Sequence, residues 1–250
     1  ALALPEGMSE EEFFAGPCPP LPPNHQPQED EPDAIRGHVG DKGFRGHLRE
    51  QWDEKTWRLH RWAYARLTER VDGQVGRVLQ GLEDAGLTDN TLVIFTSDHG
   101  DHDGSHKLDQ KTVPYEETAR IPLLLRWPEK VPAGHVPSVP VSNGLDILPT
   151  LCDVAGCNVP DGLLGHSLLP LATGEGEKDG REAIPLEWKF GRGIVRGPLK
   201  YLLYNEGERR EQLMDLEQDP WELRNHADDR KLAEELSTCR DTYTELFGNE

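Results

Sequence analysis

The sequence predicts a two-part mixed protein: an α/β domain over residues 1–172, then a small antiparallel sheet with a terminal helix over 173–250. Three observations carry this. Thr91–Phe95 and Ile121–Leu125 are short runs of apolar and β-branched residues, the pattern of parallel strands buried on both faces. Ahead of them, Tyr64, Leu67, Val71, Val75, Val78 and Leu82 recur every three or four residues, which predicts a long amphipathic helix. After a polar, Gly-rich break at 172–182, four short strand-like runs follow with turns between them.

Taken in order, residues 1–35 are rich in Pro and Glu, and "GPCPPLPPNHQPQEDEP" can form neither helix nor central strand. This predicts an extended surface segment. The helix of Trp57–Leu82 ends before Gly86, and the strand Thr91–Phe95 follows. "PYEETARIPLLLRWP" reads as a short helix and a second buried strand, adjacent and parallel to the first, with Ile94 and Leu124 on neighbouring strands. "SNGLDILPTLCDVAG" is a further helix, capped by Ser142 or Asn143 and ended by Gly156. Pro149 is tolerated in a first turn, so regular helix is expected from about Leu148. "AIPLEW", "GIVRG", "KYLLYN" and "EQLMDL" are the strands of the small sheet, and Asp229–Phe247 is the helix packed on it.

Lys and Arg number 27 against 46 Asp and Glu, a formal net charge of −19. With no basic stripe, this excludes nucleic acid and anionic membrane as partners. No apolar run approaches the length of a membrane span. The chain opens at Ala1 with no initiator Met and no signal-like stretch, so it is expected to be cut at its amino end, and localisation stays open. Oligomeric state is also open. Cys18, Cys152, Cys157 and Cys239 show no C-x-x-C spacing, and Cys152 and Cys157 read as buried thiols.

"TLVIFTSDHGDHDGSHKLDQK", residues 91–111, places Asp98 and His99 just past the carboxyl end of a strand, where open α/β sheets bind ligands. A carboxylate and an imidazole held there could ligate a divalent cation. Gly100 and Gly104 let the chain turn.

These blocks resemble the carboxyl-terminal half of a type I sulfatase, of the alkaline-phosphatase-like superfamily. "TLVIFTSDHGD" with "HKLDQK", "YEETARIPLLLRWP", "LDILPTLCDVAG" with "GHSLLPL", and "GIVRGPLKYLLY" with "EQLMDLEQDPWELRN" stand in the family's order over residues 55–250. The resemblance implies an alkaline-phosphatase-like sheet with flanking helices. It makes Asp98 and His99 ligands of a divalent ion, Ca²⁺ by family habit and Mn²⁺ as the fallback because imidazole suits it better. Lys111, thirteen residues after Asp98, falls where the family places a sulfate-binding lysine. His106 falls where many members carry a histidine that could bind sulfate or protonate the leaving group, or simply hold the loop. Tyr115, Glu116, Arg120 and Pro122 match a Y-E-x-x-x-R-x-P block, implying a Glu–Arg pair that fixes the loop, with substrate contact as the alternative.

A sulfatase also needs a formylglycine nucleophile, made from a C-x-P-x-R type motif. Cys18 in "CPPLP" has Pro20 in the third place but no Arg in the fifth, and stands too late in the family order. The nucleophile is therefore expected outside this chain. The implied function is a fragment of a sulfatase hydrolysing the ester of a sulfated small molecule or glycan. The alternatives are a phosphodiester or phosphonate monoester hydrolase of the same superfamily, and a non-catalytic relative.

Overall fold

A computed structural model describes residues 4–40, 44–176 and 181–248. Its elements are α1 (Glu10–Ala15), α2 (Asp33–Gly40), α3 (Phe44–Gln51), α4 (Glu54–Asp84), β1 (Val93–Thr96), α5 (Glu116–Ala119), β2 (Leu123–Arg126), α6 (Asn143–Ala155), α7 (Leu169–Thr173), β3 (Ile184–Trp188), β4 (Gly191–Arg196), β5 (Leu199–Tyr204), β6 (Glu211–Asp215) and α8 (Ala233–Phe247). The fold is mixed α/β, as the sequence predicts. The residues cluster into two compact units. One comprises Ala1–Gly76, His99–Arg120 and Pro185–Glu250; the other comprises Arg77–Asp98 and Ile121–Ile184.

The first unit is organised around the sheet β3-β4-β5-β6, whose registered neighbours β4–β5 and β5–β6 run antiparallel. Its core joins Leu202, Tyr204 and Met214 of the sheet to Leu108, Val113 and Tyr115 of the polar-loop segment and to Ala34 and Ile35 of α2. Gly193 is required by close approach: a Cβ there would lie 2.4 Å from the Tyr201 carbonyl oxygen. The terminal helix forms where expected and sets Tyr243 edge-on to Tyr201 of β5, with ring centroids 5.8 Å apart.

The Pro-rich segment differs from its expectation. It forms no helix or strand between α1 and α2, but it is not a surface wrap: Cys18, Asn24, His25, Gln28 and Glu31 are all buried. Proline prevents regular pairing without preventing burial, provided side chains satisfy the backbone. Here Arg58 donates to the carbonyls of Phe14, Cys18 and Pro19, and Gln28 donates to the carbonyl of Glu222.

In the second unit β1 and β2 pair antiparallel, not parallel, with Ile94 opposite Leu125 and Phe95 opposite Leu124. A run of apolar residues reports that both faces seek burial; it carries no information on strand direction. Nor is the pair buried on both faces, since Phe95 is 41% exposed and Leu124 62%. Helix α4 extends over the predicted span, but Tyr64, Leu67, Val71 and Val78 of its apolar stripe are exposed.

Helix α6 begins at Asn143 with Ser142 as its cap residue and stops at Gly156 in the left-handed region (φ 66°), so Pro149 lies inside it rather than in its first turn. Proline removes the donor that would reach Leu145, four residues back. The backbone of Gly165 packs close against this turn, and a Cβ there would come within 1.8 Å of the Leu145 carbonyl oxygen. Cys152 is only half-buried and Cys157, past the end of α6, is exposed, against the expectation of two buried thiols.

Candidate active site

Strand β1 delivers the chain to Ser97 and Asp98, with the Ser97 hydroxyl 3.4 Å from the Asp98 carboxylate. His99 opens the segment that belongs to the first unit. Its Nδ1 lies 2.8 Å from the Gly100 carbonyl oxygen and its Nε2 lies 2.5 Å from the Lys111 ammonium. An Nδ1–H donating to that carbonyl leaves a lone pair on Nε2, the form in which imidazole binds either an ammonium or a metal. The thirteen-residue spacing thus brings Lys111 back onto the histidine beside Asp98.

Gly100 fixes the turn between them. Its N–H donates to the Thr118 carbonyl at 2.9 Å, and a Cβ would stand 1.9 Å from the Glu117 carbonyl oxygen. No other residue fits there without moving α5.

His106 sits deeper. It is completely buried with a positive φ of 53°, its ring 4.2 Å from that of Tyr115. The Asn24 side-chain amide lies 3.3 Å from its Nε2, its N–H donates to the Asn24 carbonyl at 2.7 Å, and Arg49 donates to its own carbonyl at 2.9 Å. Burial, reinforced by the charges of Arg49 and Lys200, lowers its pKa to about 4, so it is neutral across the physiological range.

Asp101, His102 and Asp103 hold the loop. Asp101 accepts the Asp103 N–H at 2.8 Å, Asp103 pairs with Arg61 at 3.0 Å, and buried His102 accepts from the Val113 N–H at 3.3 Å. Cys18 is buried and its thiol pKa is raised by burial, an inert setting for a nucleophile.

Glu116 does not pair with Arg120, which is exposed. It pairs instead with Lys200 of β5 at 2.7 Å, and Lys200 also binds Glu222 at 2.8 Å. Sequence reading missed Lys200, Glu222 and Asn24. The one available signal was a lysine set among apolar residues in "LKYLLY".

A carboxylate such as that of Asp98 and an imidazole such as that of His99 are donor types that would suit a divalent ion. Among the described residues no group of three or more His, Cys, Asp or Glu side chains converges as a metal cage. Either residue would be one donor among the several that such an ion takes.

Solved structures define the fold class. A 2-O GAG sulfatase superposes with a TM-score of 0.83 at 30% identity, covering 92% of this chain and 53% of that one. The phosphonate monoester hydrolase of Agrobacterium radiobacter superposes with a TM-score of 0.72 at 30% identity, covering 78% and 42%. This is the alkaline-phosphatase-like fold. Within that class, the Sulfatase family model matches residues 21–157, and the model for the C-terminal region of N-sulphoglucosamine sulphohydrolase matches residues 104–246. The chain belongs to the sulfatase family. It is 33% identical to the Delta 4,5-hexuronate-2-O-sulfatase of Bacteroides thetaiotaomicron over 94% of its own length and 51% of that protein's. It is 36% identical to an arylsulfatase of Clostridium perfringens over 71% and 38%. The chain thus spans about half, or less, of the curated relatives it matches. Membership implies a metal ion and a formylglycine in general terms. No helix among the described residues is long and apolar enough to cross a membrane.

Proposed function

We propose that this chain is the carboxyl-terminal part of a sulfuric ester hydrolase acting on a sulfated small molecule or glycan. Asp98 and His99 contribute metal ligands, and Lys111 binds the sulfate. The observation that carries this is the His99–Lys111 contact at 2.5 Å directly after Asp98, in a chain of the sulfatase family. Ca²⁺ is the ion proposed, with Mn²⁺ as the alternative that the imidazole donor favours. When bound, the ion would align the ester and offset its negative charge, and a formylglycine outside this chain would supply the nucleophile.

Lys111 is a compact ammonium that can move from the His99 lone pair to a sulfate oxygen, offsetting charge that grows on the leaving side. His99 with its proton on Nδ1 presents Nε2 outward, as a ligand must. For His106 the resemblance left open sulfate binding, leaving-group protonation or holding the loop; it is neutral and enclosed, and its surroundings support the last of these, through Asn24 and Arg49. We place residues 1–172 in the catalytic α/β domain and 173–250 in a smaller C-terminal subdomain. Phosphonate monoester hydrolysis is the second reading, supported less well by the Agrobacterium enzyme, whose identity is equal but whose TM-score and coverage are lower than those of the 2-O GAG sulfatase.

The 250-residue chain alone is expected to hydrolyse no aryl sulfate or aryl phosphate diester at a useful rate, with Ca²⁺ or Mn²⁺ added, because positioning by a fully ligated ion is absent. Two donors should bind Ca²⁺ on the order of millimolar at best. Asp98→Asn should weaken that binding further, whereas Lys111→Ala should not. Titrating Ca²⁺ by calorimetry into both variants checks the assignment. Equal affinity in wild type and Asp98→Asn would refute it, and metal-dependent turnover abolished by Asp98→Ala would refute the split of the site.

A further inference from the structure

We propose that Lys200 and Glu222 are positioning residues for the segment that carries His99 and Lys111, joining the C-terminal sheet to it through α5. The proposal rests on reading His99 and Lys111 as part of the site.

Lys200 lies within β5, paired with Met214 of β6 and Val195 of β4, and its side chain is 0% exposed. A lysine in that setting is costly unless its charge is met. It is met twice, by Glu222 at 2.8 Å and Glu116 at 2.7 Å. Glu222 is equally buried and held at a positive φ of 52°, and its other carboxylate oxygen accepts the Glu116 N–H at 2.6 Å. Glu116 is therefore fixed by both backbone and side chain.

From there the connection is short. Glu116 begins α5, whose Thr118 carbonyl accepts the Gly100 N–H and whose Glu117 carbonyl excludes any side chain at Gly100. Gly100 in turn holds His99 by its carbonyl, and His99 holds Lys111. A second link runs in parallel. Asn24 donates to the Glu117 carboxylate at 2.7 Å and to the Trp221 carbonyl at 3.1 Å, and lies against His106.

Stability alone does not account for the arrangement. Taking one ammonium and its carboxyl partners out of water carries a desolvation cost, and well-packed apolar residues often serve stability as well or better than a buried ion cluster. What the cluster adds is direction. Two charge-assisted bonds at fixed angles define where Glu116 sits, and so where Gly100 and His99 sit.

The test uses the full chain without substrate. Lys200→Met and Glu222→Gln are compared with wild type by hydrogen–deuterium exchange and by the ¹⁵N shifts of the His99 ring. The expected result is at least tenfold faster exchange over residues 99–120 while the β4–β5–β6 ladder keeps its protection. The His99 shifts should move from a single Nδ1–H tautomer toward an averaged value. Glu222→Gln keeps shape and an acceptor for the Glu116 N–H, so it reports even if Lys200→Met fails to fold. Unchanged exchange at 99–120, uniform loosening of sheet and loop together, an unmoved His99 ring, or failure of both variants to fold would each make the cluster plain scaffolding and overturn the proposal. None of these readouts requires turnover or bound metal, so wild-type Ca²⁺ affinity in Asp98→Asn would count against the function reading alone.

Discussion

The strands β5 and β2 are built from similar apolar runs, "LKYLLY" and "LLLR", yet their surroundings are opposite. In β5 every residue except Leu203 is buried, and both neighbours, β4 and β6, are registered along its length. In β2 the side chains alternate between half-buried and exposed, and its only paired neighbour among the described residues is β1. Directly opposed residues point to the same face, so Phe95 and Leu124 place one exposed apolar face on the pair. The C-terminal sheet closes its core with residues of this chain. Among the described residues, nothing encloses Phe95 and Leu124 of the β1–β2 pair to the same degree. Apolar content alone does not decide burial; the presence of a covering layer does.

The comparison breaks most sharply under truncation of equivalent leucines. Leu202→Ala, at a fully buried site in β5, should lower unfolding stability by about 2–5 kcal/mol through lost transfer energy and a residual cavity. Leu124→Ala removes the same atoms from water-exposed surface and should cost less than about 0.5 kcal/mol. Urea unfolding followed by circular dichroism measures both. Equal losses would mean that the two leucines are equally enclosed.

This contrast also marks what could be read from the sequence. The positions of α4, the end of α6 and the C-terminal strands were legible because they depend on local pattern: the three-four spacing from Tyr64 to Leu82, Gly156 as a stop, and turn residues between the four C-terminal runs; α1, α2 and α3 were not predicted. The family was legible because several sequence blocks stand in its order over residues 55–250. Strand direction was not, since β1 and β2 are joined by a long loop that permits either. Pro149 inside α6 was missed because the helix starts at Asn143, a full turn before the start that the proline rule suggests. The Lys200–Glu222–Glu116 cluster was missed because it joins three distant segments, and no local rule predicts a buried lysine.

A smaller effect separates two buried groups of the first unit by pH. Glu222 is raised to about 7, chiefly by burial and against the pull of Lys200. His106 is lowered to about 4, also chiefly by burial. An acid with a raised folded pKa binds more protons folded than unfolded, so its contribution makes the fold more stable as pH falls from about 7 toward its unfolded value of 4.5. A histidine with a lowered pKa acts in the other direction, and its part of stability is lost as pH falls from 6.5 toward 4. Each is limited to one proton, or ~1.4 kcal/mol per pH unit. Wild type should therefore show a shallow profile between pH 5 and 7, because the two offset. Glu222→Gln should uncover a net loss of stability on acidification. A profile of unchanged slope in that variant would mean that Glu222 does not titrate in the folded chain.

The smallest effect expected on stability belongs to the exposed pair, and it sharpens the comparison rather than breaking it. Leu124→Lys places a charge on an apolar face formed with Phe95, where no described residue of this chain provides close cover. In water a lysine there keeps its ammonium hydrated and lays its methylenes along the neighbouring ring, so the unfolding midpoint should shift by no more than ~0.5 kcal/mol equivalent. What should change is association. Contiguous apolar surface at the edge of a short sheet favours contact between copies, and an added charge opposes it. Light scattering against concentration should show less self-association for Leu124→Lys than for wild type, while the same substitution at Leu202 should prevent folding. If Leu124→Lys instead unfolds the second unit, a layer of this chain already covers that face, and the difference between the two sheets lies in their pairing and not in their cover.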